Sequence, residues 1–245
     1  MTIRPTTFVT NVRTQSFAGS LEATGVEYRD TWSGEIGSID ADAVVMAAGC
    51  VETPRLWLNS GLPDNGWVGA GLTTHWFDFV VGSFDGDTFE ELTGQRTIDP
   101  YVGHNAAARY DESGVGCFEM VGGTPGIAAF QSYSFSRAGY AFDTEAEPDA
   151  PWDSRGRLAT TAAELLQTAG AEHVHRADAP PLLLHMQSSM RMGKVVDENC
   201  EASDVDRLFV GDHSALANGL GGPNPTNTGQ ALAIRTADRI DELYF

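Results

Sequence analysis

Alternating apolar and polar positions predict strands in the first fifty residues of the chain. Valines and aromatic residues recur at strand spacing over residues 7–12 and 23–30, and an apolar run over 43–47 predicts a third, buried strand. A helix is predicted soon afterwards, because Thr53 can cap a helix and Pro54 suits its first position. A glycine about two turns later marks the expected end of that helix.

The last third of the chain predicts a second group of elements. Apolar runs over 182–185 and 207–210 predict short strands, and the glycine-rich stretch 211–222 predicts a loop. Asn224 and Pro225 then predict the start of a long helix. Its predicted buried stripe repeats at helical spacing and consists of Ala233, Ala237, Ile240 and Tyr244.

Patterns in the middle of the chain are weaker. Alternating segments over 76–81 and 116–120 predict antiparallel strands, and an acidic, proline-bearing stretch over 143–151 predicts a loop. Residues 158–169 predict one helix, with a glycine directly after it.

Charge excludes several classes of partner. The 245 residues include 34 acidic and 15 basic side chains, which give a formal net charge of -19. Such a field repels nucleic acid and anionic lipid, and no apolar run approaches the roughly 20 residues of a membrane-spanning helix. Because the acidic residues are spread along the whole chain, we expect the acidic proteome of a halophilic cell and a cytoplasmic location.

Cysteines, histidines and common motifs exclude further classes of site. The three cysteines are widely spaced and predict neither disulfides nor a metal site, and the six histidines have no ligand spacing. The segment 69–71 lacks the third glycine of a dinucleotide fingerprint. Asp212, His213 and Ser214 are the residue types of a hydrolase triad, but neighbours in sequence rarely converge on one another.

Two polar residues lie at the ends of predicted elements. His185 follows an apolar strand, and Asn224 begins the last helix. Each has a structural alternative, because a histidine after an apolar strand is often a core residue and asparagine before proline is an ordinary helix cap. The sequence around both residues favours a functional role instead.

The segments that carry this signal are HMQSSMRMG at 185–193, LFVGD at 208–212 and NPT at 224–226, followed by a helix. Together they resemble the C-terminal signature of the glucose-methanol-choline (GMC) flavoprotein oxidoreductases, nearest their pyranose oxidase-like branch. The N-terminal third is similar to the same family, through VVMAAG at 44–49 and ETPRL at 52–56.

The resemblance implies FAD as cofactor and the oxidation of an alcohol or sugar hydroxyl by hydride transfer. By this resemblance, His185 matches the catalytic histidine and Asn224 the second active-site position. Histidine suits a base that exchanges protons near neutral pH, and asparagine can orient the same oxygen without a change of charge. The positions that match cofactor-binding residues are Val9, Ala48, Gly49, Gly211, Asp212, Pro225 and Thr226.

The resemblance also implies an α/β fold, in which an incomplete FAD/NAD(P)-binding Rossmann-like domain carries an inserted antiparallel-sheet substrate domain. Residues 1–75 and 181–245 are then the FAD-domain portions, and residues 76–180 are a short substrate domain. Family members carry an N-terminal Gly-x-Gly-x-x-Gly unit, and this sequence starts after it. We expect a separate N-terminal FAD-binding chain; the alternative is a truncated, non-catalytic remnant that acts as a partner-binding module.

We predict that the chain becomes more stable as salt concentration rises. A net charge of -19 repels itself, and salt relieves the repulsion because the Debye length falls to about 3 Å at 1 M. Thermal melts from low to molar KCl measure the effect. A melting temperature that stays flat or falls with salt contradicts the halophilic interpretation.

Overall fold

The computed structural model of the chain describes residues 2–94, 96, 108–120, 140–141, 153–221 and 224–245. The chain divides into two compact units. We call Met1–His75 with His185–Phe245 the terminal unit, and Trp76–Leu184 the inserted unit.

The described part of the chain forms ten strands and four helices. In chain order they are β1 (Thr7–Phe17), β2 (Ser20–Asp30), β3 (Ile36–Asp40), β4 (Val44–Met46), α1 (Gly49–Asn59), β5 (Thr73–Ser83), α2 (Gly86–Thr93), β6 (Ala108–Glu112), β7 (Gly116–Met120), β8 (Tyr140–Ala141), α3 (Asp153–Thr168), β9 (His173–Gln187), β10 (Leu208–Val210) and α4 (Thr226–Tyr244). A short 3₁₀ turn, His213–Ala215, follows β10. In this described part, no helix is long and apolar enough to cross a bilayer.

The terminal unit opens with an antiparallel sheet in the order β1-β2-β3. The predicted strands over 7–12 and 23–30 are confirmed, and both extend further than expected. The sequence pattern did not predict β3, whose residues alternate between half-buried and exposed positions over five residues only. Two bulges in the β1–β2 pairing increase the twist of this ribbon.

A parallel strand pair forms the centre of the terminal unit. β4 pairs with β10 in the register Val44 with Leu208 and Met46 with Val210. Five of the six residues in the pair are buried, and Val45 is 49% exposed. The largest hydrophobic core cluster of the described chain surrounds this pair; it includes Val12, Trp57, Met190, Val196, Val205 and Ala215.

The start of α1 differs from the sequence prediction. The helix begins at Gly49, four residues before Thr53, and Pro54 lies inside it. Thr53 is fully buried, and its hydroxyl accepts a hydrogen bond from the Ala48 N–H at 3.1 Å. It therefore stabilises the turn that precedes the helix instead of capping a helix that begins after it. The predicted end is confirmed, because Gly61 follows the helix with a φ of 64°.

The buried face of α4 also differs from the predicted stripe. Gly229 and Thr236 are the buried residues of this helix, while Ala233, Ile240 and Tyr244 of the predicted stripe are half-buried and Ala237 is exposed. A Cβ at Gly229 would lie 2.1 Å from the His213 ring, so the close approach at this glycine sets the rotation of the helix. The apolar pattern alone did not contain that constraint.

The inserted unit is an assembly of antiparallel strands and two helices. β6 pairs with β7, and β9 lies between β5 and β8. Its core packs α3 against β9 through Ala159, Ala163 and Val174. The strand over 116–120 is confirmed, and the predicted helix over 158–169 is found at 153–168. The predicted loop over 143–151 lies outside the described residues.

We predict that Gly25→Ala destabilises the terminal unit more than Gly19→Ala does. Gly25 has a φ of 144°, and an added Cβ would lie 2.0 Å from the carbonyl oxygen of Ile39 on β3. Gly19 has a φ of 96° with no atom within 4 Å of an added Cβ, so its variant meets only the left-handed strain of about 1–2 kcal/mol. The backbone clash should cost Gly25→Ala a further 1–3 kcal/mol or so. Urea unfolding of both variants measures the difference, and equal losses contradict it.

Candidate active site

The carboxyl ends of the parallel strands β4 and β10 meet at one edge of the terminal unit. α1 begins three residues after β4, and the 3₁₀ turn begins three residues after β10. Ligands in open α/β sheets bind outside the carboxyl ends of the strands. We call the segments that follow the two strands, residues 47–50 and 211–215, the strand-end junction.

Asp212 holds the strand-end junction together. One carboxylate oxygen accepts hydrogen bonds from the Gly49 N–H at 2.9 Å and the Thr53 hydroxyl at 2.7 Å. The other oxygen accepts from the Ser214 N–H at 2.7 Å. Bonds to a charged carboxylate are stronger than neutral ones, so the side chain fixes the start of α1 against the turn after β10.

The backbone at the start of α1 is open. Gly49 has a φ of 89°, and a Cβ added there would meet no atom within 4 Å. Ala47 and Ala48 are exposed, the N-cap residue Ala48 makes no side-chain cap, and the side-chain partner at the helix start is Asp212, which accepts the Gly49 N–H. A helix start whose N-cap residue makes no side-chain cap presents N–H groups and the positive end of the helix dipole, which favour a polar or anionic group.

The segment that follows His185 packs onto the junction. The Cys50 thiol donates to the Met186 carbonyl at 2.9 Å, and the Ser188 N–H donates to the His213 carbonyl at 3.1 Å. Burial, reinforced by the charge of Asp212, raises the pKa of Cys50 to about 11. The thiol therefore stays protonated and acts as a hydrogen-bond donor that holds the end of β9 against α1.

His185 lies beside this junction in an unusual backbone conformation. Its φ is 56°, a left-handed value that is uncommon for a residue with a side chain. Its ring meets the His75 ring edge-on, with an interplanar angle of 86° and 3.0 Å between the two Nδ1 atoms. His75 in turn places Nε2 at 2.6 Å from the Gly219 carbonyl oxygen. Residues in strained conformations cluster at functional sites, where the surrounding structure holds them.

Buried side-chain oxygens at the end of β9 and in the turn after β10 lack hydrogen-bond partners among the described residues. Gln187 is fully buried, and its amide nitrogen donates to the His185 carbonyl at 3.0 Å. Within the described part of the chain, Gln187 Oε1 and Ser214 Oγ have no hydrogen-bond partner. Because buried polar atoms are nearly always hydrogen-bonded, these two call for a water or a polar ligand group.

The start of α4 lies beside the same turn. Asn224 is exposed, and its side-chain oxygen accepts a hydrogen bond from the Thr226 N–H at 2.9 Å. Pro225 between them is buried. The close approach of Gly229 to His213 brings this first turn next to the residue that follows Asp212.

The structure thus brings most of the sequence-predicted site residues to one place. Ala48 and Gly49 lie on one side of the junction, and Gly211 and Asp212 lie on the other. His185 and the segment 224–226 flank it. Val9 is different: it lies half-buried on β1, and β1 meets α1 at the far end of that helix, where the Val12 N–H donates to Ser60 Oγ at 2.9 Å.

Three residues of this arrangement were not predicted as site residues. They are His75, Thr53 and Gln187, which contact His185, Asp212 and the His185 backbone respectively. His75 and His185 are 110 positions apart, so no local spacing could have paired them. The apolar-strand context that favoured His185 was absent around His75.

The junction fits the FAD that the sequence resemblance implies. Open backbone at Gly49, a helix start with no side-chain cap from Ala48 and two unpartnered buried oxygens are what a large polar cofactor needs from a protein surface. A metal centre has no comparable support, because the described residues contain no group of three His, Cys, Asp or Glu side chains placed to hold an ion.

We predict that Asp212→Asn destabilises the chain by about 1.5–3 kcal/mol. Asparagine keeps one acceptor oxygen, but its NH₂ group then faces N–H or O–H donors where Asp212 has a second acceptor oxygen. Asp204→Asn is the matched control, since it removes the same charge from an exposed side chain. Urea unfolding midpoints compare the two variants. If both lose the same stability, Asp212 does not hold the junction.

Comparisons with known proteins agree on one family. Two family models, both described as GMC oxidoreductase, match residues 3–77 and 126–233 and together cover about three quarters of the chain. A comparison with curated protein sequences gave no match.

Solved structures show the same fold at low sequence identity. Formate oxidase from Aspergillus oryzae matches with a TM-score of 0.60 and 14% identity, over 96% of this chain and 60% of that chain. Pyridoxine 4-oxidase from Mesorbium loti matches with a TM-score of 0.55 and 15% identity, over 98% of this chain and 58% of that chain. This chain therefore spans less than two thirds of the length of either enzyme. The family models and the shared α/β fold show that the chain belongs to the GMC oxidoreductase family, whose cofactor is FAD.

Proposed function

We propose that this chain supplies the catalytic part of an FAD-dependent oxidoreductase that oxidises the CH–OH group of an alcohol or a sugar. The observation that carries the proposal is the placement of His185. Its ring is held against His75, at the strand-end junction that Asp212 ties together. The resemblance of the segment 185–193 to the family's signature supports the same role.

His185 acts as the base in this proposal. Its ring takes the proton of the substrate hydroxyl, which makes the hydride on the same carbon a better leaving group. FAD, when bound, supplies the acceptor for that hydride. The left-handed backbone of His185 already holds the ring in one direction. Substrate binding therefore loses no further conformational entropy in ordering this ring.

Asn224 orients the substrate oxygen. Because its side-chain oxygen already accepts from the Thr226 N–H, its amide nitrogen is left to donate toward solvent and substrate. Because the Asn224 amide is neutral, it can donate to the substrate oxygen both before and after the hydroxyl proton is transferred. In this proposal Asn224 both stabilises the start of α4 and occupies the second active-site position that the family resemblance implies.

The cofactor is held by backbone at the junction. Ala48, Gly49 and Gly211 offer small or open backbone, and the start of α1, with no side-chain cap from Ala48, favours negative charge. Pro225 and Thr226 place the start of α4 beside the junction, where a second helix dipole adds to the first. Val9 is proposed to contact a remote part of the cofactor, in line with its separate place on β1.

A second polypeptide is proposed to supply the glycine-rich unit that grips the pyrophosphate. The described parallel sheet has two strands, whereas parallel sheets are usually larger and covered on both faces. Val45 on β4 is half exposed, so this strand has apolar surface that another element could cover. If no such chain exists, the alternative is a non-catalytic remnant that binds a partner through the same surface.

We predict that His185→Ala, in the FAD-loaded assembly, slows flavin reduction by about 10²–10⁴-fold while substrate affinity changes little. Stopped-flow absorbance of the flavin measures the rate, and its dependence on substrate concentration measures the affinity. His173→Ala, an exposed histidine of the inserted unit, is the control and should leave both unchanged. A His185→Ala protein that melts earlier but reduces its flavin at the normal rate shows that His185 is only a packing residue.

Asn224→Asp separates the helix role of Asn224 from its catalytic role. Aspartate keeps the acceptor oxygen for the Thr226 N–H but replaces the amide donor with a negative charge. We expect unchanged stability and slower flavin reduction. A normal rate at unchanged stability assigns Asn224 to the helix start alone.

A further inference from the structure

The contact between His75 and His185 determines which ring nitrogen of each residue carries hydrogen. His75 Nε2 lies 2.6 Å from the carbonyl oxygen of Gly219, and a carbonyl oxygen can only accept. The hydrogen of a neutral His75 ring is therefore on Nε2. Its Nδ1 then carries a lone pair and can only accept.

That lone pair faces His185. The two Nδ1 atoms are 3.0 Å apart, so one of them must donate to the other. Because His75 Nδ1 accepts, His185 Nδ1 carries the hydrogen. His185 Nε2 is then the nitrogen with the lone pair, and it is the atom able to take a proton.

Gln187 is consistent with this assignment. Its amide nitrogen lies 3.3 Å from His75 Nε2 but has a shorter contact, 3.0 Å, with the His185 carbonyl oxygen. One amide hydrogen goes to the carbonyl oxygen, and the second has no lone pair to bind at His75 Nε2, because that nitrogen carries the hydrogen it donates to Gly219. Gln187 is fully buried, so its side chain has little freedom to move away from these contacts.

We propose that His75 is a positioning residue that fixes the tautomer of His185, with Nδ1–H donated to His75 and Nε2 kept as the base. The inference rests on the proposed role of His185 and adds the chain of bonds from Gly219 through His75 to His185. When His185 takes a proton on Nε2, its Nδ1–H bond to His75 remains in place. The positive charge is then shared along an existing hydrogen bond, and no side chain has to move.

The experiment is nitrogen-15 NMR of the histidine rings in the whole chain, recorded at mildly alkaline pH. Long-range couplings distinguish a nitrogen that carries hydrogen from one that carries a lone pair. We expect the Nε2–H form for His75 and the Nδ1–H form for His185. The reverse assignment for His185 in the unmodified chain overturns the proposal, whatever the enzyme activity.

Variants of His75 test whether His75 determines the tautomer of His185. His75→Ala removes the acceptor, and His185 should lose its single Nδ1–H form. His75→Asn places an amide oxygen close to the former Nδ1 and should restore it. If His185 keeps the Nδ1–H form in His75→Ala, His75 does not fix the tautomer. If His75→Ala fails to fold, the NMR assignments of His185 in the unmodified chain and in His75→Asn still test the proposal.

Kinetics separate this inference from the proposed function. In the FAD-loaded assembly, His75→Ala should reduce its flavin about 10–100-fold more slowly, and His75→Asn should recover most of that loss. An assembly whose unmodified form does not oxidise alcohols or sugars refutes the proposed function but leaves the NMR result to test the tautomer. Equal rates for the unmodified and His75→Ala assemblies refute the positioning role alone.

Discussion

The Asp212 carboxylate is the interaction on which the rest of the site depends. It accepts the Gly49 N–H, the Thr53 hydroxyl and the Ser214 N–H, and so joins segments more than 150 positions apart in the chain. Without it, the starts of α1 and of the 3₁₀ turn have no shared anchor. The hydrogen bond from the Cys50 thiol to the Met186 carbonyl then holds the end of β9, where His185 lies, against the start of α1.

The junction is organised by strand direction as much as by side chains. β4 and β10 run parallel and come from the two ends of the chain, so their carboxyl ends and the turns after them meet. On one side of the junction, Gly49 has a positive φ, and no atom lies near the position of an added Cβ. On the other side, the close approach of Gly229 to His213 places α4 next to the 3₁₀ turn. The junction is formed by residues from both ends of the sequence, while the segment between them forms the second compact unit.

Sequence patterns predicted the parts of the fold whose signals are local. The strands β1, β2, β4 and β7 were found where apolar alternation or a buried run placed them. The errors have identifiable causes. Thr53 and Pro54 look like a helix start, but Asp212 and Ala48 use the threonine hydroxyl from outside the helix. The face of α4 is set by a glycine that contacts a ring from another segment, which no periodicity within the helix contains.

The family pattern predicts His185, Asn224 and Asp212 as site residues, whereas it does not predict the residues that contact them. His75 and Gln187 act through contacts between elements, and only the folded chain brings them to His185. The proposed tautomer of His185 adds a specific chemistry to the proposed function, because the base then has one defined protonated nitrogen, beside open backbone at the ends of parallel strands. The most direct test of the central claim, that this is half of a flavin site, is purification of the chain from its native cells with its absorbance spectrum recorded. One flavin for each copy of this chain, in a protein that also contains a glycine-rich pyrophosphate-binding unit, is the predicted result. A chain that purifies alone, without flavin absorbance, contradicts it.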